Sequence, residues 1–95
     1  MHIKRLFWAG LALTVGETTL LVDPLTKHSS LIGRRDAPEE PVYTAGSRTA
    51  QFALITHQHA DHYHPETLHE CLSEAGKVVC HQPLAQKVAQ DGFSV

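Results

Sequence analysis

The run Phe52-Ala53-Leu54-Ile55-Thr56-His57-Gln58-His59-Ala60-Asp61-His62-Tyr63-His64-Pro65 decides how this chain is read. Its first four residues are wholly apolar, the pattern of a short strand covered on both faces. The segment that follows holds four histidines, His57, His59, His62 and His64, within eight positions. Histidine is a poor core filler, so such a cluster needs a chemical explanation. Alternate residues of an extended segment point the same way, so His57 and His59 can reach a common point. Asp61 and His62 follow where the chain must turn, and can face a second point nearby. Imidazole suits zinc and iron, and a carboxylate can hold a water as well as a metal. A polar turn that is His-rich by chance is the plain alternative. The interleaved Asp61 and the strand that delivers the cluster both weigh against it.

Downstream, the punctuation is that of a helix. Pro65 suits the first helical position and Glu66 the positive end of the dipole. Leu68, Cys71, Leu72 and Ala75 form one apolar stripe, and Gly76 is the expected stop, so a helix is predicted over 65–75. A strand follows at 77–80 and a second helix, opened by Pro83 and closed by Gly92, at 83–91. Phe93-Ser94-Val95 reads as the start of a further strand.

Upstream, 3–8, 11–15 and 18–22 read as strands. Ala9-Gly10 is a bend between the first two, and Gly16-Glu17 is a tight turn between the second and third. Asp23-Pro24 ends the third strand, because proline has no N–H to pair. Residues 25–50 sustain no period and form one long loop. Strands and helices in this order make a layered α/β protein of one domain, residues 1–95.

Composition narrows the function classes. The chain has 95 residues, 42% hydrophobic and 19% charged, with a net charge of −2. No global field favours nucleic acid or an anionic membrane. No stretch is long enough to span a membrane as a helix. Lys4-Arg5 before the apolar Leu6–Val15 imitates a signal peptide. That run lacks a small-x-small cleavage site and passes through Gly16-Glu17 into another strand pattern, so a cytoplasmic protein is expected. Cys71 and Cys80 match no zinc-finger spacing and read as small buried hydrophobes in a reducing compartment.

His57-x-His59-x-Asp61-His62 resembles the HxHxDH signature of the metallo-β-lactamase superfamily at all four positions. Thr56 before the first histidine fits that pattern. Leu20-Leu21-Val22-Asp23-Pro24 is similar to the acid-ended strand found upstream in that superfamily. Phe7-Trp8-Ala9-Gly10 is similar to the opening strand of the branch with ascorbate-phosphate lactonases and acyl-ethanolamine phospholipases D. Leu11 and His64 stand where that branch often has His and Asp. The glycine common at position 64 in true β-lactamases and glyoxalases is also missing.

The resemblance implies the N-terminal half of an αββα sandwich. It implies a metal-dependent hydrolase that cleaves an ester, lactone or phosphodiester of a small-molecule substrate with metal-bound hydroxide. His57 and His59 would bind a first metal, and Asp61 and His62 a second. The metals would be up to two Zn2+, with Mn2+ or Fe as alternatives. Asp61 would also orient the attacking water, and Asp23 would brace the metal loop from behind. In that superfamily the second half of the sandwich adds further ligands. The expectation is therefore a truncated domain that binds metal weakly and has little activity alone. Self-association, or a partner covering the open sheet, would complete it. The reading from another class is a small non-catalytic metal-binding or interaction module, completed by His64 or His81. His69 is expected to be exposed on its helix, and His2 and His28 carry no signal.

Overall fold

Alternation and turn chemistry build the N-terminal strands as the sequence predicts. The computed structural model describes residues 1–6, 9–25, 48–59 and 62–95. Strands β1 (His2–Arg5), β2 (Leu11–Val15) and β3 (Thr18–Val22) form an antiparallel meander. Gly16, at φ 58°, makes the turn between β2 and β3, a conformation that costs glycine little. The first strand is shorter than the predicted 3–8: Leu6 has left the ladder, and residues 7 and 8 lie outside the described residues. So does most of the loop expected over 25–50. Ala50, placed in that loop by pattern, already belongs to β4 (Ala50–Ile55).

From β3 onward the sheet changes sense. Strand β4 runs parallel to β3, and β5 (Leu72–Cys80) runs parallel to β4. The order across the sheet is β1-β2-β3-β4-β5. Helix α1 (Pro65–Cys71) connects β4 to β5, and α2 (Gln82–Gln90) follows β5. The described residues form a mixed α/β fold of five strands and two helices. Three parallel strands in a row bring their carboxyl ends to one edge of the sheet, where α/β proteins place their sites. Among the described residues no helix is long and apolar enough to cross a membrane.

The core lies on one face of the sheet. Register aligns Ala12, Leu21, Ala53 and Val78 across four strands, and all four are buried. Leu68 and Cys71 of α1, and Leu84 and Val88 of α2, join them in one cluster. The other face carries Leu13, Leu20 and Phe52 in register, and Phe52 and Val79 are exposed. Strand β4 is therefore covered on one face only, where its apolar run had suggested two. Its even rhythm of Ala53 and Ile55 against Phe52 and Leu54 is one-sided burial in an all-apolar segment.

The largest correction concerns 72–76. The predicted helix over 65–75 stops at Cys71, and β5 begins at once instead of at residue 77. Leu72 takes extended backbone, φ −75° and ψ 140°, while its N–H still donates to the Leu68 carbonyl. The apolar stripe loses almost nothing by this exit. Leu68, Cys71 and Leu72 are buried either way, whereas Ala75 is exposed. Pairing of Leu72 with Ala50 adds sheet hydrogen bonding that one more helical turn cannot match, so tertiary pairing overrides local propensity. The second helix spans 82–90, one residue earlier than predicted at each end. Of the expected final strand, Ser94 alone bridges to Lys77.

Gly76 is accordingly no helix stop but a buried strand residue under close contact. A β-carbon there would meet the Ser73 carbonyl oxygen at 2.9 Å and the Ala50 carbonyl oxygen at 3.2 Å. Both neighbours are backbone, so neither can yield cheaply. Gly76→Ala is expected to cost about 1–3 kcal/mol by urea denaturation. Ala75→Ser, at the exposed neighbour, should stay within about 0.5 kcal/mol. Equal midpoints for the two variants would contradict this packing.

Candidate metal centre

The site grows from the carboxyl ends of three parallel strands. Val22 pairs with Leu54, Leu54 with Val79, and Ile55 with Cys80. Asp23, Thr56 and His81 are the residues next in line, so register alone delivers them to one edge.

Asp23 sits underneath. It is 2% exposed, and its backbone lies at φ 44°. Aspartate tolerates this left-handed region better than most residues. Its N–H donates to the Leu54 carbonyl at 3.0 Å, which holds the turn against β4. Its carboxylate then accepts three hydrogen bonds. The Thr56 N–H reaches Oδ1 at 2.8 Å. The Thr56 hydroxyl donates to Oδ2. His62 Nδ1 lies 2.9 Å from the same oxygen. A buried carboxylate needs such partners, and bonds to a charged acceptor are the stronger kind.

Proton counting along this network sets the histidine tautomers. A carboxylate only accepts, so His62 must carry its proton on Nδ1. The Thr56 hydroxyl gives its single proton to Asp23 and can then only accept from His57 Nδ1, 2.9 Å away. His57 therefore also carries its proton on Nδ1. In the neutral form of each ring the remaining lone pair is then on Nε2, the atom a metal takes. The two rings lie 4.5 Å apart between centroids. His64 is the opposite case. It caps α1, and its Nδ1 accepts from the Thr67 N–H at 3.2 Å, with the Thr67 hydroxyl at 2.7 Å. That fixes its proton on Nε2 and gives it a structural task.

The loop turns on His59, whose carbonyl accepts the N–H groups of His62 at 2.9 Å and Tyr63 at 2.8 Å. The turn brings His62 back over Asp23. Tyr63 is buried, and its hydroxyl donates to Asp91 Oδ2 at 2.5 Å, anchoring the loop to the end of α2. Lys87 Nζ approaches the same oxygen at 3.3 Å. The Tyr63 hydrogen bond holds the Asp91 carboxyl below its ordinary value, and burial pushes the Tyr63 phenol far above its own. Burial likewise raises the Cys71 thiol to about 12. Cys80 is half-buried and its thiol is raised by burial; neither cysteine is paired.

Of the residues expected to hold metal, the structure brings His57 and His62 together over Asp23. His57 and His59 line an open depression of about 360 Å³ with Thr56, Gln58, His81 and Pro83. Asp61 lies outside the described residues, as does His28. Among the described residues no three His, Cys, Asp or Glu side chains converge on one point. His69 is exposed on α1 and stacks on Phe93 at 4.3 Å between ring centroids. Two side-chain roles were not legible in the sequence. The Thr56 hydroxyl relays Asp23 to His57, and Tyr63 ties the loop to α2. A Thr before the first histidine and an aromatic after the last were the available signals.

The chain matches no protein-family model, no curated protein and no solved structure. The donor chemistry nonetheless fits a zinc-class ion, since neutral imidazoles with Nε2 lone pairs, oriented by a buried carboxylate, are what such ions select.

Two outcomes follow from this geometry. Asp23→Ala strands three donors around a buried hole and is expected to lower stability by about 2–3 kcal/mol in urea denaturation. A loss under about 0.5 kcal/mol would mean that the network is not formed. The second outcome concerns alkaline pH. Cys71 and Tyr63 both have raised pKa values in the folded chain, so folding is favoured by their neutral forms. The Cys71 contribution is fully present below pH 9.0 and is lost as pH rises through about 12. The Tyr63 contribution is fully present below pH 10.0 and is lost above it. Tyr63→Phe should flatten the fall in melting temperature above pH 10 and leave the earlier fall in place. An unchanged profile would dismiss the buried phenol as its source.

Proposed function

We propose that the loop from Thr56 to His62 is the first-half metal loop of a metallo-β-lactamase-fold hydrolase acting on an ester, lactone or phosphodiester. The observation that carries the reading is the Asp23–Thr56 network, which leaves the Nε2 atoms of His57 and His62 as the basic nitrogens.

The chain's own residues divide the work. His57 and His59 form one donor pair, and Asp61 and His62 the other. Asp23 sets the His62 ring directly and the His57 ring through Thr56, so both rings meet a cation without first changing tautomer. Asp61 is assigned, by resemblance, to hold the attacking water by its proton. A bound zinc would supply Lewis acidity and acidify that water toward neutral pH. In this reading, ligands beyond those of the loop complete the coordination, and the loop alone binds metal weakly.

Zinc titration of the purified chain by calorimetry tests the proposal. Binding is expected in the wild type and lost in His57→Ala. In Asp23→Asn it should weaken by about 10–100-fold, the usual cost of an outer partner. Slow zinc-dependent hydrolysis of bis(p-nitrophenyl) phosphate or of a simple lactone should disappear in Asp61→Ala. Zinc affinity unchanged in His57→Ala would sink the metal reading. Tight binding without hydrolysis of any of these ester classes would favour a non-catalytic metal module.

A further inference from the structure

We propose that His81 is a third imidazole of this metal site, one that lies outside the HxHxDH motif and comes from the start of α2. The inference rests on the metal-binding reading above and names the ligand that the loop by itself lacks.

Three observations converge on His81. The first is placement. Ile55 pairs with Cys80 in parallel register, so the residues after them leave the same edge of the sheet side by side. His81 and the histidine loop are neighbours in space although Cys80 and Ile55 are far apart in sequence. The second is the cavity. His81 lines the depression of about 360 Å³ together with His57 and His59. Three of its six lining residues are thus histidines, each with imidazole nitrogens of the kind zinc-class ions bind. The third is that the helix makes no use of the ring. His81 stands at the N-cap of α2 with extended backbone, φ −70° and ψ 153°, and makes no side-chain capping hydrogen bond. The N-cap position favours Ser, Thr, Asp or Asn, so histidine there is a poor choice for capping alone. His64 shows the contrast: it caps α1 through Nδ1 and is thereby committed.

The chemistry suits a divalent zinc-class cation. Three neutral imidazoles with one open position for water form a catalytic zinc set. In the present rotamers no three such side chains converge among the described residues. Closure requires rotation of the His81 side chain, which is exposed and unrestrained by the helix. Moving a surface side chain between staggered wells costs little beside the formation of a metal–nitrogen bond.

The test is zinc binding by the full chain, read by calorimetry and by the cobalt(II) absorption that reports coordination number. Four variants serve: His81→Ala, His81→Asn, His59→Ala and His69→Ala. Asparagine is a good N-cap, so His81→Asn preserves α2 and separates ligand loss from unfolding. The expected result is a loss of zinc affinity of more than about tenfold in both His81 variants and in His59→Ala. His69→Ala, on the far side of α1 against Phe93, should stay within about twofold. The cobalt spectrum of His81→Asn should lose the intensity of a four-coordinate site. If zinc binds the wild type, and His59→Ala weakens it while both His81 variants bind within about twofold, the His81 assignment is overturned and the metal loop stands. If the wild type fails to bind zinc, or His59→Ala binds as well as the wild type, the metal reading fails and this inference with it.

Discussion

A single buried carboxylate organises this molecule's candidate site. Asp23 lies almost out of reach of water and accepts from the Thr56 N–H, the Thr56 hydroxyl and His62. Burying a charge is costly unless partners replace its water, and here three donors do so. The same bonds clamp the end of β3 to the loop after β4. They also dictate where two imidazoles keep their protons. Stability and the orientation of the two imidazoles thus share one set of hydrogen bonds.

That carboxylate acts only because the strands around it run parallel. Had β4 returned antiparallel to β3, Asp23 would face the start of β4 and the histidines would emerge at the opposite edge. The meander of β1, β2 and β3 supplies the antiparallel half of the sheet. The β4–α1–β5 unit supplies the parallel half, and the site forms where the carboxyl ends of β3, β4 and β5 gather. Tyr63 and His64 then fix the far side of the loop. One anchors it to Asp91, the other starts α1. The two histidines flanking Tyr63 show how environment separates like residues. His62 is held as an Nδ1–H donor and His64 as an Nδ1 acceptor, so only the first presents a lone pair at Nε2.

The sheet itself is two-sided in character. Its helix-covered face carries small and branched residues in register, from Ala12 to Val78. The other face carries Leu13, Leu20 and Phe52, with Phe52 and Val79 exposed. An all-apolar strand therefore did not mean a strand buried on both faces. Periodicity cannot tell these cases apart over Phe52–Ile55, where both faces are apolar.

Local chemistry explains what was legible from the sequence alone. Strands 11–15 and 18–22 were readable because a glycine turn and short apolar runs ending in Val15 and Val22 are signals that act over a few residues. His57, His59, His62 and His64 stand out in the sequence because four histidines in eight positions have no ordinary structural use. Asp23 was singled out, yet its partners were not, since a bond between residues 33 apart depends on strand register. The same holds for the exit from α1 at Cys71. Leu68, Cys71, Leu72 and Ala75 satisfy helical spacing perfectly well, and only the pairing of Leu72 with Ala50 ends the helix there. His81 belongs to no motif and was named from sequence only as one of two histidines that could complete a closed site; parallel register places it beside the histidine loop. The sequence by itself determined which side chains are candidates for the site. Tertiary structure decided which of them meet, because register between distant strands is a property of the whole sheet and of no segment in it.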